Sequence, residues 1–143
     1  MEDTLPGSKT LRLSIGYNDF FGGFQRPGEI ILQCVSTGGS DSSRPEEIAH
    51  FPLFSIAGQQ EELVRTNLRF SALRIEKRKD HYRFLYSAGP VSNFAFREAF
   101  AKELVIQPKY IGIFALQGFV ANTQYMPVQI RYFSIGNTEC SRQ

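Results

Sequence analysis

Tryptophan is absent from this chain of 143 residues, and cysteine and histidine occur only twice each. The two cysteines, Cys34 and Cys140, lie far apart, with no Cys-x-x-Cys spacing and no histidine cluster. This pattern argues against a zinc site and against a redox pair. We therefore expect no metal and no cofactor. We interpret both cysteines as reduced thiols, since free cysteine is commonly a small buried hydrophobic residue.

The chain also lacks a large excess of one charge sign. Its 16 basic residues nearly balance its 14 acidic residues, and the net charge is +2. That surplus is too small for an electrostatic footprint on nucleic acid. No segment approaches the ~20 apolar residues of a membrane span, and the first residues lack the basic and apolar regions of a signal peptide. We expect neither a nucleic-acid nor a membrane partner, and a cytoplasmic location by default.

Hydrophobic residues make up 42% of the chain and charged residues 21%, as in ordinary globular proteins. The length suits one domain that buries a core without disulfides or a metal. We predict a single domain over residues 10–136, with short tails at residues 1–9 and 137–143.

Alternating segments dominate the first half of the chain. Residues 11–17 place Leu11, Leu13 and Ile15 on one face, which predicts a half-buried strand. Residues 29–36 are apolar on both faces and predict an interior strand. The polar residues 37–47 predict a long loop. Two further strands are predicted at residues 50–57 and 63–70, although residues 61–69 could also form a short helix.

Residues 71–90 give the clearest pattern, a β-hairpin that turns at Lys79 and Asp80. Arg74, Glu76 and Arg83 are predicted to face outward, or to line a shallow groove. The opposite, apolar face is predicted to pack on another sheet and contains Leu73, Ile75, Tyr82, Phe84 and Tyr86.

The last part of the chain gives weaker signals. The spacing of Phe94, Phe96, Phe100 and Leu104 is compatible with a helical turn or an irregular crossover. Residues 110–118 predict a short buried strand. Residues 127–136 predict a final alternating strand, with Val128 on its apolar face. Many short strands separated by turns indicate a β-sandwich or a barrel.

The order of these pieces resembles the C-terminal half of concanavalin A-like lectin and glucanase domains. The resemblance rests on the basic hairpin at residues 74–87, on Ile-Gly-Ile-Phe-Ala at residues 111–115, and on residues 128–133. It is closest in pattern to the accessory sandwich of family 43 glycosidases and related small proteins of unknown function. The resemblance implies an all-β fold, a jelly roll of two packed antiparallel sheets.

Catalysis lacks support in the sequence. Glycosidases need two carboxyl groups about 5 to 10 Å apart, and enzymes of the concanavalin A-like group often carry them as Glu-x-Asp-x-x-Glu on one strand. This chain has no such strand. Glu76 and Asp80 are separated by a basic turn, and the neighbouring Glu46 and Glu47 would point to opposite faces.

Two residue groups could bind a ligand. Aromatic and amide side chains suited to a sugar occur in two predicted loops, at Tyr17, Asn18, Asp19, Phe20, Phe24, Asn122, Gln124 and Tyr125. The more common role for such phenylalanines, Phe20, Phe21 and Phe24, is a core plug beneath the loop. A basic cluster suited to an anionic partner contains Arg74, Arg78, His81 and Arg83. Such a cluster could instead be a solvated face that protects an edge strand.

We therefore predict a non-catalytic β-sandwich domain that binds carbohydrate or a glycan-like ligand. The alternative is a protein-interaction module or a homodimer. A glycoside-acting enzyme is the third possibility.

Overall fold

A computed structural model describes residues 10–16, 29–37, 46–55, 66–113 and 128–136. The chain divides into two compact units, Met1–Ile113 and Phe114–Gln143. This division does not test whether residues 10–136 fold as a single domain, so that boundary stays a prediction. In the described part the protein is mostly β, with two antiparallel three-stranded sheets. No helix in these ranges is long and apolar enough to cross a membrane.

The first sheet contains β1 (Thr10–Gly16), β2 (Glu29–Thr37) and β3 (Glu46–Ser55), with β2 in the centre. Leu13, Cys34 and Ala49 lie opposite one another across the three strands. The alternation predicted for residues 11–17 is confirmed over β1, because Leu11 and Leu13 are buried and Arg12 lies on the other face. The central place of β2 confirms the predicted interior strand.

β3 begins at Glu46, earlier than the strand predicted from residue 50, so the predicted loop over residues 37–47 is too long. Glu46 and Glu47 pair with Ser36 and Val35, just beyond a register shift between Cys34 and Val35. The prediction was wrong here because backbone pairing needs no apolar side chain, and charged residues are common where a strand enters a sheet from solvent.

The second sheet contains β4 (Phe70–Arg78), β5 (His81–Gly89) and β6 (Arg97–Glu103), with β5 in the centre. The predicted hairpin is confirmed: Arg78 pairs with His81, and Lys79 and Asp80 form the turn. Lys79 has a φ of 55°, as the first central residue of a tight hairpin turn often requires.

For residues 92–105, the phenylalanine spacing predicted a helical turn or an irregular crossover. The structure instead has β6 within this range. Phe100 and Leu104 are four residues apart, and a spacing of four fits both a helix face and two alternations of a strand. Phe100 lies opposite Phe84 in the sheet, with ring centroids 4.9 Å apart. A register shift at Phe84 and Leu85 interrupts the alternation of β6, which made this strand difficult to identify.

A single helical turn occupies residues 66–68, within the segment for which we predicted either a strand or a short helix. The Arg69 amide donates to the Thr66 carbonyl at 3.3 Å, and the Ser71 hydroxyl donates to the Leu68 carbonyl at 3.1 Å. These bonds end the turn, and β4 begins at Phe70. The strand alternative for residues 63–70 is therefore wrong at residues 66–68.

The two sheets share one hydrophobic core. Phe51 of β3 and Tyr86 of β5 bring the sheets together, with ring centroids 5.7 Å apart. Of the predicted apolar face of the hairpin, Tyr82 and Phe84 are fully buried, and Ile75 and Tyr86 pack against them. Leu73 is the exception, because it is 40% exposed. The buried members of the core are Leu11, Leu13, Cys34, Tyr82, Phe84 and Ile106.

Two titratable groups are buried in this core. The Tyr82 hydroxyl donates to the Ile106 carbonyl at 2.7 Å, which ties the chain after β6 to the second sheet. Desolvation, with a smaller contribution from the charge of Asp80, raises the pKa of Tyr82 to about 12. Cys34 is a free, buried thiol, as predicted, and desolvation raises its pKa to about 12. Cys140 lies outside the described residues.

Two predicted strands are not found in the described residues. Tyr110 forms a single bridge, residues 111–113 belong to no strand, and Ile111 and Ile113 are exposed. Residues 128–136 likewise form neither helix nor strand, and all are exposed. Alternation favours a strand only where side chains meet a half-buried surface. The predicted buried strand at residues 110–118 and final strand at residues 127–136 are therefore wrong at these positions.

Candidate ligand-binding face of the second sheet

The aromatic and amide candidates lie outside the described residues, so their role in ligand binding stays a prediction. They are Tyr17, Asn18, Asp19, Phe20, Phe24, Asn122, Gln124 and Tyr125.

The four basic candidates come together on one surface of the second sheet. Because side chains alternate along a strand, the burial of Tyr82 and Phe84 places His81 and Arg83 on the opposite side of β5. Arg74 and Arg78 of β4 share that side, since they lie opposite Leu85 and His81. We name this surface the outer face. It contains every residue of the predicted basic cluster.

Arg83 is the centre of an ion-pair network on the outer face. Its Nη1 donates to Glu76 Oε2 at 2.8 Å, and its Nε donates to Glu98 Oε2 at 2.6 Å. Arg74 Nη2 lies 2.7 Å from the other oxygen of Glu76, which extends the network along β4. Hydrogen bonds and charge attraction, first from Glu98 and then from Glu76, raise the pKa of the Arg83 guanidinium above its ordinary value.

The network depends on the register of all three strands. Glu76 lies directly opposite Arg83 in β4. On β6, the residue opposite Arg83 is Ala101, and the register shift at Phe84 and Leu85 places Glu98 opposite Leu85 instead. Glu98 therefore reaches Arg83 diagonally, a distance that long side chains can cross.

A contact between His81 and Glu103 lies at the end of the sheet near the hairpin turn. His81 Nδ1 is 2.7 Å from Glu103 Oε1, between residues that pair directly across β5 and β6. Arg78 is exposed and forms no ion pair within the described part of the chain. The outer face thus holds three arginines, and Glu76, Glu98 and Glu103 match them in number. The basic cluster is not an uncompensated positive patch.

An apolar residue lies within this charged surface. Leu85 is only 7% exposed, although it shares the outer face with Arg83. Arg74 lies opposite Leu85, and the Arg74 guanidinium stands over the Phe96 ring, 5.6 Å from its centroid. The Arg74 guanidinium thus makes a cation–π contact with Phe96. This contact was not predicted from the sequence.

Next to the network, residues 90–96 present two aromatic rings. The side-chain oxygen of Asn93 accepts from the Ala95 amide at 3.1 Å and from the Ser87 hydroxyl at 3.2 Å. These bonds fix the loop before β6, where Phe94 has a φ of 49°. The Phe94 and Phe96 ring centroids are 6.4 Å apart.

Phe94 combines strain with exposure. A left-handed backbone is uncommon for a bulky residue and costs roughly 1 to 3 kcal/mol. Phe94 nevertheless leaves 55% of its surface exposed. The loop therefore holds an aromatic ring at the surface in a fixed position. From their spacing in the sequence, Phe94 and Phe96 were predicted only as parts of a helical turn or crossover, and not as binding residues.

Comparison with protein-family models, with curated proteins and with solved structures finds no match to this chain. In the ranges that the structure describes, no three His, Cys, Asp or Glu side chains are placed to hold a metal ion. The candidate site is therefore defined by its own geometry, as a surface of hydrogen-bonding groups beside a fixed aromatic pair.

Proposed function

We propose that this protein is a non-catalytic binding domain that recognises carbohydrate on the outer face and on the adjoining Phe94 and Phe96 rings. The observation that carries the proposal is the exposed, left-handed Phe94, in the loop that Asn93 fixes through Ala95 and Ser87. Strain retained at an exposed aromatic residue is typical of sites in which the conformation serves recognition.

The chemistry of a sugar fits both parts of this surface. A pyranose has apolar C–H faces that can cover an aromatic ring, and its hydroxyl groups both donate and accept hydrogen bonds. Phe94 and Phe96 offer the rings, while Arg83, Glu76 and Glu98 offer donors and acceptors. Because ion pairs hold the charged groups in place before binding, less side-chain freedom is lost when a ligand arrives.

We also propose that the two sheets belong to a concanavalin A-like jelly roll. Support comes from two antiparallel sheets that share a core, and from the basic hairpin whose second strand carries Tyr82, Phe84 and Tyr86. A crystal structure would test this proposal through the order of all strands. A barrel or an open two-layer arrangement would contradict it.

Affinity electrophoresis tests the proposed function. The protein is run through gels that contain one neutral polysaccharide each: a glucan, a xylan, an arabinan and a galactan. We expect at least one of them to retard the protein. Phe94→Ala should abolish that retardation and leave the urea midpoint nearly unchanged, because the ring is exposed.

Val91→Ala is the matched control, since Val91 lies in the same loop and is also exposed. It should leave retardation unchanged. Retardation that survives Phe94→Ala would place the sugar site elsewhere. Absence of retardation in every gel would count against carbohydrate recognition itself.

A second function, protein association, is favoured by exposed apolar residues that follow β6. Val105, Tyr110 and Ile113 are exposed within a short distance along the chain. If this segment joins two copies, sedimentation velocity should show a concentration-dependent dimer that Val105→Lys weakens. A monomer at all concentrations would contradict the homodimer.

A further inference from the structure

We infer that the outer face selects uncharged glycans. Glu76 and Glu98 exclude anionic glycans because they bind the Arg83 guanidinium, which an acidic sugar would otherwise bind. This inference rests on the proposed carbohydrate recognition and adds the class of ligand. It is carried by the contacts of Arg83 and by the charge balance of the surface.

The charge balance follows from the strand register. Arg74, Arg78 and Arg83 share the outer face with Glu76, Glu98 and Glu103. The formal charges of the three arginines and the three glutamates therefore cancel. A surface that binds polyuronates or sulfated glycans needs surplus positive charge, and this one has none among the described residues.

The geometry at Arg83 adds a local reason. A guanidinium offers five N–H donors, and two of them are engaged by Glu98 and Glu76. The remaining N–H groups can still donate to neutral hydroxyl oxygens, and the glutamate oxygens can accept from hydroxyl groups. A ligand carboxylate at the same place would meet two fixed carboxylates of the protein. Such repulsion against the wrong partner is a common source of specificity.

The test compares neutral polysaccharide with polygalacturonate in affinity electrophoresis at low salt. The wild-type protein should be retarded by one of the four neutral polysaccharides and only weakly by polygalacturonate. Glu98→Gln keeps the size of the side chain and its ability to accept from Arg83, but removes the charge. It should raise the apparent affinity for polygalacturonate by about tenfold and change neutral binding little.

Glu103→Gln is the matched control, because it changes the net charge equally on the same face but contacts His81 rather than Arg83. It should give a much smaller gain than Glu98→Gln. The gain of Glu98→Gln should also decline at high salt, since exposed charges are then screened. Urea unfolding of each variant verifies that all are folded.

Each result decides a separate point. Wild-type binding to polygalacturonate as strong as to the neutral polysaccharide would overturn the selectivity and leave carbohydrate recognition intact. Equal gains from Glu98→Gln and Glu103→Gln would show a general charge effect, and the role assigned to Glu98 would be wrong. Binding to neither kind of polysaccharide would overturn the proposed function together with this inference.

Discussion

The two sides of β5 have opposite character. Tyr82 and Phe84 are fully buried and connect the second sheet to the shared core, whereas the side chain of Arg83, between them, donates to Glu76 and Glu98 at the surface. One strand therefore contributes to stability on one side and presents polar groups on the other. Substitutions of the exposed charged residues on the outer face should therefore affect folding less than substitutions on the buried side.

The largest expected effect is on the inner side. Phe84→Ala removes a buried ring that packs on Phe100 and Tyr82, so it should lower the free energy of unfolding by about 3 to 5 kcal/mol. Urea unfolding followed by circular dichroism measures this loss. Phe84→Leu, which refills much of the volume, should lose clearly less. A Phe84→Ala variant as stable as the wild type would refute the assignment of the faces.

Tyr82→Phe should have an intermediate effect. It keeps the ring but leaves the buried Ile106 carbonyl without its hydroxyl donor, which costs about 1 to 3 kcal/mol. Tyr86→Phe is the control, because the Tyr86 hydroxyl makes no hydrogen bond within the described residues. Equal losses in the two variants, measured by urea unfolding, would contradict the importance of the bond to Ile106.

Two buried groups of the shared core, Cys34 of β2 and Tyr82 of β5, predict a loss of stability in alkali. The pKa of Cys34 rises from 9.0 to about 12 on folding, and that of Tyr82 from 10.0 to about 12. Above these unfolded values the unfolded chain releases protons that the folded chain retains, so the free energy of unfolding should decline from about pH 9 to about pH 12. Cys34→Ala should move the onset of the decline toward pH 10 in urea titrations. A flat profile through this range would contradict the prediction.

The smallest effect is expected on the outer side. Arg83→Ala breaks two ion pairs that are exposed to solvent, and such pairs contribute little to stability and are screened by salt. Its urea midpoint should shift by a small fraction of the shift in Phe84→Ala, and the shift should shrink in high salt. If Arg83→Ala proved as damaging as Phe84→Ala, the two sides of β5 would not differ in the way described.

The hairpin could be predicted from the sequence because two local signals agree there, the alternation of apolar residues and a two-residue turn at Lys79 and Asp80. β6 could not, because the spacing of Phe100 and Leu104 fits a helix and a strand equally well. Only pairing with β5, a contact between distant parts of the chain, decides between them.

The candidate site was predictable only in part. The basic residues are visible in the sequence, but their neutralisation depends on the register shift that brings Glu98 within reach of Arg83. The exposure of Phe94 depends on a backbone angle that residue type does not specify, since a left-handed phenylalanine is unusual. Long-range register and local strain both arise from tertiary structure, so a linear pattern does not reveal them.

The order of strands within each sheet has a consequence for folding kinetics. Both sheets join strands in their order along the chain, and the hairpin of β4 and β5 closes through only two residues. Closing a short loop costs the least entropy, and hairpins form within roughly 1 to 10 μs. We expect this hairpin to be structured in the transition state for folding. Contacts between the sheets, such as that of Phe51 with Tyr86, should form after it.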